Sequence, residues 1–416
     1  MMLLNRLNFF QPQAFNVASS GIWGTTQKVT IDRSWPLEEI VLIVNAKLNS
    51  TALTKTAATT VNLLDGIAGA IKRVNLSVND PIAGRPRTVV DFSGAGLLEY
   101  AQLTGLNLDT ATLEAIRTHN TTAGIAASSQ IQITYRIPLV HPLIADPLRT
   151  RMLLPVHLYQ QDPVLTVDFA SSASGTEIGT GGSPLFDTAV SSSCELLLLR
   201  RNISASLDAQ IQKTGGYIES DLLEFPFTFG VGVSGEQRVP LNLPGYYLNV
   251  LQRQYLGGTN FTRAEIDQTT TLGSESRWRL ETGGSVIREW RWKHLRKINE
   301  WSQPRAGLNS TITFVAPTSA GSPTVALNPG FFPGSGAATS TNLYFPAATT
   351  MLDFLTDGLD SANELGSVLD CYTPASRGLK MEIIGPIASV SSNSSVLYVG
   401  GHRITSPDIS QWQAVR

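Results

Sequence analysis

The side chains best placed to do chemistry in this chain are the basic and aromatic residues between Arg277 and Lys297. Arg277, Arg279, Arg288, Arg291, Lys293, Arg296 and Lys297 are interleaved there with Trp278, Trp290 and Trp292. A strand over REWRWKH puts Trp290 and Trp292 on one face and Arg291 and Lys293 on the other. Cations displayed over inward-packed indoles suit a contact with phosphate, lipid head groups or an acidic neighbouring subunit. The same pattern also describes a solvated strand face over a tryptophan-rich core. The candidate subunit or phosphate contacts are therefore Arg288, Arg291, Lys293, Arg296 and Lys297.

The remaining reactive residues form no recognisable constellation. His119, His141, His157, His294 and His402 include no pair at metal-ligand spacing such as i, i+4. Glycoside cleavage needs two facing carboxylates. Glu38, Glu39, Asp91, Asp168 and Glu195 are the candidates, and Asp91 and Asp168 flank apolar strand residues where a hydrogen-bonded structural role is expected. Neither a G-x-S-x-G elbow nor a G-x-x-x-x-G-K phosphate loop occurs. Cys194 and Cys371, one in each half, are expected to be buried free thiols. No catalytic residue, metal site or cofactor is predicted, and the chain does not read as an enzyme.

The elements that would carry these residues are mainly strands. Charged residues make up 15% of the 416 residues, well under the usual figure of about 25%. Much of the polar surface is thus Ser, Thr, Asn and Gly, and arginine outnumbers lysine, a bias shared with surfaces covered by neighbours. A formal net charge of -2 argues against a whole-surface nucleic-acid binder. At the N-terminus, Leu3, Leu4, Leu7, Phe9 and Phe10 are interrupted by Asn5, Arg6 and Asn8, so the segment lacks the apolar core of a signal peptide. It reads as an arm over residues 1–25 that packs on its own domain, on a neighbour or on a lipid surface. No later run reaches the length of a membrane span.

Strand patterns fill both halves. In IQITYRIPLV, Ile131, Ile133, Tyr135, Ile137 and Leu139 alternate with Gln132, Thr134 and Arg136. A proline-bounded crossing with a helical turn from Asp146 then leads to a second strand, PVLTVDFA. LEEIVLIVNAKL and CELLLLRRNISA read as further strands. Asp65 to Ile71 reads as a short helical piece, and a helix is predicted from about Gly94. The pattern restarts after Ala205, and LLEFPFTFGVGV alternates through Phe225, Phe227, Phe229 and Val231. A second-half helix is predicted over MLDFLTDGLDSANEL from the stripe Met351, Leu352, Leu355 and Leu359. The expected architecture is all-β with a few short helices, as two tandem eight-stranded jelly-roll sandwiches over residues 26–210 and 211–416.

The order of IQITYRIPLV, DPLRTRMLL and PVLTVDFA, together with the closing LYFPAATTMLDFLTDG, GLKMEIIGPIASV and SSVLYVGGHRI, resembles the double jelly-roll major coat proteins of tailless icosahedral, internal-membrane-containing (tectivirus-like) phages. The resemblance covers most of the chain in layout and only short stretches in residues. It implies a homotrimer whose six sandwiches make a pseudo-hexagonal tile, and tiles that meet neighbouring capsomers, penton and minor capsid proteins in the virion. It also implies an inner-membrane contact through the N-terminal arm, although that family's arm is longer and glutamine-rich. Direct nucleic-acid binding is not expected. The rival from another class is a carbohydrate-binding or carbohydrate-cleaving β-sandwich, with a secreted adhesin as a third reading.

Overall fold

Alternation with period two sets where each strand buries its side chains, and the fold was followed in a computed structural model. It describes residues 8–13, 21–47, 66–79, 86–106, 130–170, 186–187, 192–257, 261–263, 277–292, 349–355, 368–387 and 394–405, without 145, 147, 234 and 242, together with 109, 112, 294, 295, 298 and 299. The first half contains β1 (Asn8–Gln13), β2 (Thr26–Thr30), β3 (Leu37–Lys47), β4 (Ile71–Asn79), β5 (Pro86–Phe92), β6 (Gln130–Pro138), β7 (Val164–Phe169) and β8 (Ser193–Arg201). The second half adds β9 (Ser220–Phe229), β10 (Gly235–Pro240), β11 (Tyr246–Tyr247), β12 (Asn249–Gly257), β13 (Phe261–Arg263), β14 (Arg277–Thr282) and β15 (Ser285–Arg291). It closes with β16 (Thr349–Asp353), β17 (Leu369–Asp370), β18 (Met381–Ile387) and β19 (Ser394–Ile404). Four short helices with described bounds cover Gly94–Leu103, Leu148–Arg151, Ala205–Lys213 and Tyr372–Ser376.

These strands form three sheets. A four-stranded sheet in the order β1-β8-β3-β6 faces the first part of an eleven-stranded sheet, and a four-stranded sheet β10-β18-β14-β15 faces the rest. The long sheet runs β13-β12-β19-β9-β5-β4-β7-β2, with β11, β16 and β17 attached beside it. One core lies between β3, β6, β8 and β4, β5, β7, and another between β10, β14, β15, β18 and β9, β12, β16, β19. Among the described residues the first sandwich therefore has eight strands, and the second has eight with three short additions. The fold is, among the described residues, mostly β with four short helices of defined bounds, of the double-sandwich type expected.

The alternation in β6 is realised: Ile131, Ile133, Tyr135 and Ile137 are buried while Gln132 is exposed and Thr134 and Arg136 are half-buried. The segment after it carries the chain from the first sheet to the long one, where β7 pairs with β2 and β4. The helical piece before Ile71 is a 3-10 turn over Gly66–Ala70. The helix Gly94–Leu103 starts where Ser93 accepts a bond from the Gly96 amide, a standard N-cap. All ten of its residues are buried, and a Cβ on Gly94 would lie 2.2 Å from the Ile71 carbonyl oxygen.

Four features differ from expectation or go beyond it. The stretch beginning at Met351 is not a helix: β16 pairs antiparallel with β12, and Met351 enters the first core while Leu352 enters the second. Two adjacent apolar residues that serve opposite faces look like part of a helical stripe when the two cores are not known. Residues 356–365, the rest of that predicted helix, lie outside the described residues. Val231 falls beyond the end of β9, in a turn, and is exposed rather than continuing the alternation. The N-terminal segment supplies an edge strand, with Phe9 and Phe10 opposite Arg200 and Leu199 of β8. Finally, β5 and β9 pair in parallel, Val90 with Leu222 and Asp91 with Leu223, joining the two halves into one sheet.

Candidate functional site

In the basic, tryptophan-rich region β14 and β15 form a hairpin in which Trp278 pairs with Trp290 and Arg277 with Arg291. The indoles of Trp278, Trp290 and Trp292 are buried, as the alternation predicts, with Trp278 and Trp292 ring centroids 5.3 Å apart. Room for Trp278 comes from Gly385 on β18, whose missing Cβ would sit 2.2 Å from the indole. The strand ends at Arg291 and the chain is helical at Trp292. Lys293, Arg296 and Lys297 lie outside the described residues.

The outer face is not a uniform basic patch. Arg277 pairs with Glu289 at 2.8 Å, Arg279 with Glu236 at 2.9 Å and also with Glu281, and Arg238 with Glu382 at 2.9 Å. Glu281 and Glu289 belong to the hairpin itself, while Glu236 of β10 and Glu382 of β18 lie 43 and 144 residues from their arginines in sequence. Most of these pairs are half-exposed and each is worth at most about 1 kcal/mol, so they neutralise the face more than they stabilise it. Arg288 is half-buried, and Arg291 has no ion-pair partner among the described residues. Leu3, Leu4 and Leu7 of the arm lie outside the described residues, while Phe9 and Phe10 belong to β1.

The acids considered for sugar cleavage are each engaged in structure. Glu38 accepts from Arg149 and Arg201, Glu39 from Arg136, and Asp91 from Arg73. Asp168 accepts from the Thr26 hydroxyl at 2.6 Å and Glu195 from the Asn45 amide at 2.9 Å. Cys194 and Cys371 are buried free thiols, pushed up to about 12 chiefly by burial. No cluster of three metal-ligating side chains occurs among the described residues.

Sequence reasoning missed a buried charge cluster at the junction of the halves. Arg253 of β12 and Glu224 of β9 are each 1% exposed, and Glu99 of the buried helix is 0% exposed. Arg253 Nε donates to Glu224 Oε1 at 3.0 Å, and its terminal nitrogens donate to the Tyr255 hydroxyl at 2.8 Å and to Ser93 Oγ at 2.6 Å. Glu99 Oε2 is 3.7 Å from Arg253 Nε and accepts from the Thr349 hydroxyl at 3.2 Å. The Ser93 amide donates to Glu224 Oε2 at 3.1 Å, and the guanidinium lies 4.8 Å over the Tyr398 ring. Ser93 and Glu99 come from the first half and the other members from the second, so the cluster ties the sandwiches together. Its sequence signal is an acid between apolar residues in LLEFPF and a lone arginine in LQRQYL, inside an otherwise uncharged strand.

Beside it, Asn249 bridges the halves through neutral groups. Its amide nitrogen donates to the Tyr100 hydroxyl oxygen at 3.0 Å and lies 2.8 Å from His141 Nε2, and its carbonyl accepts from the His402 amide at 2.9 Å. His141 and His402 are fully buried with ring centroids 5.8 Å apart. Burial holds His141 well below its ordinary value, with the neighbouring His402 adding to the effect, and burial lowers His402 to about 3. In the unfolded chain both titrate near 6.5. Between these values the unfolded state binds more protons, so stability rises with pH there and falls on acidification from about 6.5. The slope is about 1.4 kcal/mol per pH unit for each histidine. Urea midpoints at pH 7, 5 and 4 should therefore fall steadily, and His402→Gln should flatten the decline.

The second core also contains polar groups. Gln252 and Gln254 of β12, Thr350 of β16 and Ser395 of β19 share a face with Val250, Leu352, Leu397 and Val399, which belong to that core. A buried polar atom left unmet costs about 1–3 kcal/mol.

The arrangement of two sandwiches on one continuous sheet is the fold that solved structures of viral coat proteins share. The likeness extends over the whole chain to solved structures of such proteins. A structure from "Life in the extremes: atomic structure of Sulfolobus Turreted Icosahedral Virus" matches with a TM-score of 0.59 at 14% identity, covering 98% of this chain and 94% of that one. The STIV MCP crystal structure matches with a TM-score of 0.55 at 13% identity, covering 98% of this chain and 100% of that one. VP54 of PBCV-1 gives 0.55 at 10% identity, with 97% and 95% covered. No protein-family model and no curated protein matches the chain.

Proposed function

We propose that this chain is a major capsid protein that self-assembles into the shell of an icosahedral virus, with its place in the virion. The observation that carries the reading is the end-to-end likeness: 98% of the chain aligns with 94% or more of two structures from an icosahedral virus. A domain shared by unrelated proteins would match over one sandwich and leave the other behind. The Faustovirus major capsid protein is also similar over 96% of this chain, with a TM-score of 0.51. The function is geometric, since the acids suited to sugar cleavage are occupied by arginines, a threonine and an asparagine.

In finer terms, we propose a homotrimer built as a pseudo-hexagonal tile, as the resemblance to tectivirus-like phage coats suggests. The first jelly roll would span residues 26–210 and the second 211–416. Neighbouring capsomers, penton proteins and minor capsid proteins are its proposed partners. Arg291, which has no ion-pair partner among the described residues, is the proposed subunit contact, together with Lys293. The arm ahead of β1 is proposed to meet a neighbour or an inner membrane.

Size-exclusion chromatography with light scattering tests this. A stable trimer or larger shell is expected, and a monomer that is retained by polysaccharide would contradict it. Arg291→Glu with Lys293→Glu should impair assembly while leaving the circular-dichroism spectrum and the urea midpoint nearly unchanged. Shells formed as readily as by the unaltered chain would remove the hairpin from the interface.

A further inference from the structure

The interior of the second sandwich carries more hydrogen-bonding groups than the protein satisfies by itself. Gln252 and Gln254 lie two residues apart on β12 and point the same way. Gln252 sits directly across from Thr350 on one side and Val399 on the other, and Gln254 sits across from Leu397. Ser395, two residues before Leu397 on β19, extends the same face. Gln252, Gln254 and Thr350 are 0% exposed and Ser395 is 1% exposed. None of these four side chains has a hydrogen-bond partner for its polar atoms among the described residues. The opposing sheet adds three more: the indole N–H groups of Trp278, Trp290 and Trp292 are buried and equally unmet. The indoles belong to the same contact cluster as Leu397 and Val399.

Satisfied buried polar groups are the rule in folded proteins, and bound water is the usual partner when protein groups are lacking.

We infer that the second sandwich holds internal water between its sheets, bound by Gln252, Gln254, Thr350 and Ser395 and reached by the indole N–H groups. The lining selects water over an ion. Amides, hydroxyls and indoles are neutral, and they present donors and acceptors together, which a water molecule matches and a bare ion does not. The inference is independent of the capsid reading, because it rests on the second core alone.

The near-isosteric double variant Gln252→Met, Gln254→Met distinguishes a wet interior from a dry one by sign. With water present, removing both amides strands the water, Thr350 and Ser395, and Tm falls by about 2–4 °C or more. A dry interior would lose unmet groups and Tm would rise, which overturns the proposal. A high-resolution crystal structure of the unaltered chain decides the matter even where the variant fails to fold. Ordered water within hydrogen-bond reach of Gln252 and Gln254 is expected, and an interior free of water, or amides bonded to protein groups instead, would refute it.

Discussion

Arg253→Ala should destabilise the chain by about 3–5 kcal/mol, the cost expected when one partner of a buried ion pair is removed. The reason is what remains. Glu224 and Glu99 are 1% and 0% exposed, so neither can recover solvation from water when the guanidinium goes. Ser93 Oγ and the Tyr255 hydroxyl lose a donor in the same change. A variant that also replaces the acid, Arg253→Met with Glu224→Leu, should be more stable than Arg253→Ala alone, because apolar replacements of a whole buried pair are often tolerated. Urea unfolding followed by circular dichroism measures both. A loss below about 1 kcal/mol for Arg253→Ala is the behaviour of a surface pair and would contradict the account of the junction.

Gly385→Ala should have a comparable effect through packing. The added Cβ would lie 2.2 Å from Trp278 Cδ2, where carbon atoms ordinarily rest at about 3.5–4.0 Å. Trp278 is fully buried and tilted against Trp292, so the ring has little room to yield. Overpacking of this kind costs about 1–3 kcal/mol, and more where the obstructing group is rigid. Trp278→Leu is itself expected to cost about 3 kcal/mol or more by leaving a cavity. Combined, the two changes should cost less than their sum, since the smaller side chain makes room for the new methyl group. A double-mutant cycle from thermal or urea unfolding reports that coupling directly, and strict additivity would show that the ring and the glycine are not in contact.

Local periodicity made much of the fold legible. β6 shows it best: four apolar residues at every second position, with a polar residue between each, require one buried face, and the structure buries them. The same logic failed at Met351 and Leu352, because β16 belongs to a sheet with a core on each side and period two then hides behind two adjacent apolar residues. The tryptophan face of the β14–β15 hairpin was legible, whereas its charge was not. Glu281 and Glu289 lie within the segment and pair with Arg279 and Arg277, whereas Glu236 reaches Arg279 from a strand 43 residues away, a contact that no local count of charges shows. The junction was the least visible feature, since Ser93, Glu99, Glu224, Arg253 and Thr349 meet only after β5 and β9 pair in parallel.

The basic strand that drew attention first is thus a mixed charged face with Arg291 left over, and the tie between the sandwiches is made elsewhere, in buried groups. The central claim concerns what these sandwiches build. Electron cryomicroscopy of the purified, concentrated chain tests it most directly: the capsid reading predicts trimeric tiles with a near-hexagonal outline, alone or joined in closed shells, and a field of single, unassociated molecules under every assembly condition tried would contradict it.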